Sequence, residues 1–192
     1  MAKSNENKAN QPQARVTKTR QKVLHASGQL FVEQGFEHVS VEHILEATGI
    51  ARSTFYRLFG NKEAVLAELT CPAFIEGAEK FKALQSLDGV ELMRELLDVY
   101  VTLWEQYASG MVLAVRLGRQ YQHIISQDHD QFAAALKTLM TKIQRKGLLR
   151  NGDALLSTII IARTGVPLLQ IYQGQKLQRE LFISAMEGML LS

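Results

Sequence analysis

The chain has 192 residues, room for one large domain or two small ones, and its 46% apolar content excludes an intrinsically disordered protein. Lys and Arg number 22 against 19 Asp and Glu, a net charge of +3, and the lone Cys71 excludes an internal disulfide and fits a reducing cytoplasm. The charge is unevenly placed: residues 1–62 hold nine basic and five acidic side chains, residues 63–192 thirteen and fourteen. A basic end on a near-neutral body suggests an anionic partner, although a solvated tail would have the same composition.

Residues 1–15 are dominated by Ser, Asn, Gln and Lys and read as a disordered basic arm without the apolar core of a secretory signal. Thr17 or Thr19 can cap a first helix. Val23, Leu24, Ser27, Leu30 and Phe31 form its buried stripe, and Gly35 ends it. Ser40 caps a short second helix with Val41, Ile44 and Leu45 inward, stopped by Gly49. A third covers about 51–57, followed by Phe59. Asn61 caps a fourth, which places Glu63 in its first turn, where the helix dipole favours a negative charge. Pro72 falls inside that helix pattern and is either a hinge or a stop.

The remainder reads as helical throughout. Helices are expected at about 89–107, on Leu92, Leu96, Leu97, Tyr100 and Trp104, and at 110–125. The next starts at Asp128 or Asp130, carries Phe132, Leu136, Leu139, Met140 and Ile143, and closes at Gly147. Asp153 opens a very apolar helix to Tyr172, disturbed by Gly165 and Pro167, and a last one covers about 176–191. No apolar stretch approaches the roughly 18 residues of a membrane span. The longest, 155–169, is interrupted by Ser157, Thr158, Arg163 and Pro167, so no membrane partner is expected.

Residues 44–58 are the informative stretch. Two short helices joined through a glycine make a helix-turn-helix, whose turn needs the positive φ that Gly49 adopts cheaply. Ile44, Ile50, Phe55 and Leu58 stand where the two helices must touch. The outer face of the second helix must stay polar to meet base edges and phosphates, and Arg52, Ser53, Thr54, Tyr56 and Arg57 supply that. For the two arginines the alternative is a plain solvated helix face.

Here the sequence resembles the TetR-type transcriptional regulators. The resemblance runs from Phe31, Gly35 and Phe36 through Ser40-Val41, Ile44, Ala47-Thr48-Gly49-Ile50, Thr54-Phe55-Tyr56 and Phe59 to Lys62-Glu63-Ala64-Val65-Leu66. Three residues depart from the common pattern. Leu45 replaces a small residue after the second helix's Ile. Ala51 replaces a Ser or Thr cap. Leu58 replaces a His. The resemblance implies that Ser40, Tyr56 and Lys62 hold phosphates, that Arg52 and Thr54 face the major groove, and that Arg57 does either job. It also implies an all-α fold: a helix-turn-helix DNA-binding domain over 16–70, then a helical ligand-binding and dimerisation domain over 71–192. Its partners would be a double-stranded DNA operator, a small-molecule effector and a second copy bound through the last two helices. Such a protein would be a cytoplasmic, ligand-released repressor. One alternative is a DNA-bound protein of the same fold that acts through protein–protein contacts; another is a ligand-binding helical protein that no longer uses DNA.

Trp104, Tyr107, Met111, Arg116, Tyr121, Phe132 and Arg163 are the candidates for a ligand cavity, although aromatics and Met at helical spacing equally make plain core. Arg163 could equally pair with a carboxylate across a dimer. His123, Asp128, His129 and Asp130 carry ligand-type atoms with nothing to fix their geometry, so neither metal nor cofactor is expected. No nucleophile triad, carboxylate pair or phosphate loop stands out, and no enzyme activity is expected.

Overall fold

A computed structural model of the chain describes the backbone of residues 6–192 and the side chains from residue 13 onward. Among the described residues there are eight α-helices: α1 (Glu6–Gln34), α2 (Val41–Thr48), α3 (Arg52–Phe59), α4 (Lys62–Ala83), α5 (Gly89–Arg116), α6 (Ser126–Arg145), α7 (Ala154–Tyr172) and α8 (Gln178–Leu190). Short 3-10 turns at Leu84–Ser86 and Arg119–Ile124 join them. Among the described residues the only β-type pairing is an isolated bridge between Leu149 and Leu191. The chain divides into two compact units, Met1–Leu69 and Thr70–Ser192.

Four readings of the sequence need correction. Residues 6–15 are the opening turns of α1, not a disordered arm; residues 1–5 lie outside the described part. Thr17 and Thr19 accordingly cap nothing, and their hydroxyls donate to the carbonyls of Gln13 and Arg15, four residues back. The expected helices at 89–107 and 110–125 are one long helix, α5, whose path breaks at Tyr107 (φ −129°, ψ 27°), followed by a 3-10 turn. Pro72 does not stop α4, which continues eleven residues beyond it to Ala83. Arg163 and Pro167 do not interrupt α7 either, so its 19 residues are, by length and composition alone, enough to cross a membrane.

The second unit is a helical bundle in which α7 packs on α5, α6 and α8. Ser157, Ile161, Gly165 and Leu169 form the buried side of α7; Phe182, Met186 and Leu190 form that of α8. Leu92, Leu96, Leu97 and Leu103 of α5 meet them in the core with Leu136 and Met140 of α6. Packing is close at Gly77, where an added Cβ would stand 2.5 Å from Phe132 Cε2 and 2.9 Å from Leu103 Cδ1. Arg179 at the start of α8 pairs with Asp98 and Glu105 of α5, and Arg94 pairs with Glu187. These exposed or half-exposed pairs fix register more than they stabilise.

Candidate nucleic-acid interface

In the first unit the helix-turn-helix is built on a small, fully buried core. Ile44 of α2 and Phe55 of α3 are both inaccessible to solvent; Val23, Phe31, Val39, Val65 and Leu66 are buried with them. The Phe31 and Phe36 rings meet edge to face at 5.0 Å, and Phe55 and Phe59 lie 5.6 Å apart. Ile50 and Leu58, also expected in the contact, are half-buried.

The ends of the two short helices are set by their sequence. Ser40 Oγ accepts from the His43 amide and His43 Nδ1 accepts from the Ser40 amide, a reciprocal box that satisfies two otherwise orphaned donors. Gly49 closes α2 with φ 64°, and its amide donates to the Leu45 carbonyl. That left-handed conformation costs a side chain about 1–2 kcal/mol, which glycine avoids. Ala51 stands at the N-cap of α3 with no side-chain hydrogen bond, and its carbonyl accepts from the Thr54 amide at 2.9 Å. Asn61 Oδ1 accepts from the Ala64 amide at the start of α4.

Six of the seven residues read from the sequence as DNA contacts lie on or beside α2 and α3. Arg52, Ser53, Tyr56 and Arg57 are exposed along α3, with Thr54 and Ser40 half-buried. Arg52 is not a freely solvated side chain: its Nη2 donates to Glu42 Oε1 on α2 at 2.5 Å. Glu42 is held below the usual carboxylate range first by a hydrogen bond from its own backbone amide and then by Arg52, and the Arg52 guanidinium is raised in return. The seventh, Lys62 at the start of α4, is half-buried. Its ammonium donates to the carbonyls of Phe36 (2.9 Å) and Val39 (3.0 Å) and lies 4.4 Å from the Phe36 ring centre. Those bonds clamp the loop that leads into α2 and leave one of the three N–H groups for an outside acceptor.

Sequence reasoning missed two residues here. Arg20, counted only as part of a basic end, is a structural cation: it pairs with both carboxylate oxygens of Glu68, donates to the Leu58 carbonyl at 3.2 Å and lies 4.8 Å from the Phe59 ring centre. The other is Glu42, whose only signal in the sequence is its place in the first turn of α2.

The cavity candidates of the second unit differ in burial. Trp104, Met111 and Phe132 are buried, and Phe132 sits among the rings of Phe74, Phe81 and Tyr100. Tyr107 is half-buried, and its hydroxyl donates to Glu76 at 2.8 Å, a partner on α4 that the sequence did not reveal. Tyr121 lies in the 3-10 turn, Arg116 is exposed at the end of α5, and Arg163 is on the exposed face of α7.

Two short helices meeting through a left-handed glycine, with polar residues on the outer side of the second, define a helix-turn-helix protein. The signature of the bacterial regulatory proteins of the tetR family matches residues 23–69. Over these residues the chain is similar to the helix-turn-helix of the TetR family. It is 40% identical over 53 residues to the HTH-type transcriptional regulator TcmR of Streptomyces glaucescens, a match covering 28% of this chain and 24% of TcmR. It is 34% identical over 83 residues to the HTH-type transcriptional repressor AcnR of Corynebacterium glutamicum, covering 43% and 42%. The chain thus spans less than half the length of the curated relatives it matches. The fold extends further: the crystal structure of AibR in complex with isovaleryl coenzyme A and operator DNA superposes with a TM-score of 0.70, covering 90% of this chain and 97% of that one at 17% identity.

Proposed function

We propose that the protein is a homodimeric transcriptional repressor that binds a palindromic DNA operator through α3 and is released by a small-molecule effector. The reading rests on α3, a short helix that buries Phe55 completely and leaves Arg52, Ser53, Tyr56 and Arg57 to solvent. A major groove admits a helix of this kind, arginine suits guanine O6 and N7, and threonine suits the thymine methyl. Ser40 and Tyr56 would hold phosphates, with the third N–H of Lys62 as a further donor. Residues 16–70 then form the DNA-binding domain and 71–192 the ligand-binding and dimerisation domain of a cytoplasmic, non-enzymatic regulator.

The partner copy is argued from the exposed side of α7 and α8. Leu155, Leu156, Ile159 and Ile171 of α7 and Leu181 and Met189 of α8 are all more than a third exposed. Ser184 and Gly188 are exposed among them, and nothing stands within 4 Å of a Cβ added at Gly188. An apolar face of this extent needs cover, and a second copy of the same face supplies it without a membrane. AibR, with its acyl coenzyme A and its operator, supports the effector part of the reading by shared fold alone.

The test is selection of bound sequences from random duplex DNA, with the oligomer measured by light scattering. We expect a near-palindrome with half-sites one helical turn or a multiple apart, bound by a dimer. Gly188→Arg, which meets nothing within its own chain, should leave a folded monomer. A Gly188→Arg protein that remains dimeric would rule out the α8 face, and enrichment of no sequence would rule out the operator.

A further inference from the structure

Arg52 and Arg57 lie on the same short helix, both exposed, yet they are held differently. Arg57 has no hydrogen-bond or ion-pair partner among the described residues, whereas Arg52 is bound to Glu42 across the turn. The Glu42 carboxylate sits in the first turn of α2, where its own backbone amide and Arg52 hold it below the usual carboxylate range. That turn is fixed by the Ser40–His43 box. A chain of contacts therefore runs from the backbone of α2 to one N–H of Arg52. Four of the five guanidinium donors remain unused by Glu42.

The pairing has two opposite consequences. The carboxylate offsets the charge of Arg52 and adds a negative group near a phosphate backbone, which lowers general affinity for DNA. It also removes rotamer freedom from a long side chain before any base is met, so less is lost when guanine is engaged. An arginine used only to attract phosphates gains nothing from such a partner; one used to read a base edge gains direction.

We infer that Glu42 is the positioning residue for base readout, its carboxylate on α2 holding the Arg52 guanidinium so that one base pair is discriminated. The inference rests on the reading of Arg52 as a base reader. It assigns Glu42 no contact with DNA.

Competition binding with the full chain tests it on four proteins: the parent, Glu42→Gln, Arg52→Ala and the double variant. The substrates are duplexes carrying each base pair in turn at every position of the selected site. Arg52→Ala identifies the base pair that Arg52 reads. Glu42→Gln should lower preference for that same pair by roughly two- to fivefold, the range expected for an exposed ion pair. Its affinity for random duplex should be equal or higher, because a negative charge is gone. In the Arg52→Ala background it should change no preference. Parent-like preference in Glu42→Gln, with preference lost in Arg52→Ala, overturns the positioning role alone. A Glu42→Gln effect that persists without Arg52 also overturns it, because the carboxylate would then be reading a base itself. A parent-like Arg52→Ala profile overturns the reader assignment and the positioning role together.

Discussion

The two units expose opposite chemistries. In Met1–Leu69 the exposed face of α3 carries two arginines, a serine and a tyrosine over a core in which Ile44 and Phe55 are inaccessible. In Thr70–Ser192 the exposed face of α7 and α8 is aliphatic, reaching 70% exposure at Ile171 and 54% at Leu155. A polar surface with fixed cations is content in water and suited to an anionic, hydrated partner; an aliphatic face is not content in water and favours permanent cover. On the proposed reading the first unit would meet a reversible partner and the second a lasting one.

The contrast can be broken most severely at the centre of the first unit. Phe55→Ala removes the fully buried ring of α3 and should cost about 3–5 kcal/mol. A denaturant melt should show the first unit unfolding early while the helical signal of the second persists. If both units melt together at the parent midpoint, Phe55 does not carry the motif. The corresponding break in the second unit is Gly77→Ala. A Cβ 2.5 Å from Phe132 forces that ring to move, for about 1–3 kcal/mol of lost stability in the body. In the full chain, the transition of the first unit should not follow it.

A smaller effect sharpens the picture of the second unit's interior. Burial, with a hydrogen bond and charge from Asp128, pushes the Cys71 thiol up from about 9 to about 11. Since the thiolate is the reactive form, alkylation at pH 8 should be roughly 100-fold slower in the native protein than in urea. The native rate should still rise nearly tenfold per pH unit up to about pH 10. A native rate that is half-maximal near pH 9 and flattens by about pH 10 would mean that the thiol is solvated.

How much of this was legible in the sequence follows the same division. The helix-turn-helix was readable because specific residue types are required at fixed places: Gly49 for its φ, Ser40 and Asn61 for their caps, Ile44 and Phe55 for the core. What the sequence hid there was pairing between side chains distant in the chain. Nothing local tells that Arg20 will meet Glu68 or that Arg52 will meet Glu42. In the second unit, periodicity located the helices but not their continuity. Gly110 read as a start, yet α5 passes through it and bends at Tyr107, a position with no glycine or proline to mark it. Pro72 and Pro167 read as punctuation, yet their helices continue on either side, since packing outweighs one missing amide donor. The start of α1 was misjudged for the opposite reason, a polar composition taken for disorder.

The central claim is that α3 reads base pairs while Lys62 serves the backbone. The most direct measurement is the affinity of the parent, Arg52→Ala and Lys62→Ala for the selected operator and for random duplex across several salt concentrations. Arg52→Ala should weaken operator binding by about 1–3 kcal/mol and relax preference at one base position, with random-duplex binding little changed. Lys62→Ala should weaken both duplexes alike and flatten the salt slope by about one unit. Unchanged affinity and selectivity for Arg52→Ala on the operator would contradict the account, because the recognition surface would then lie elsewhere than on α3.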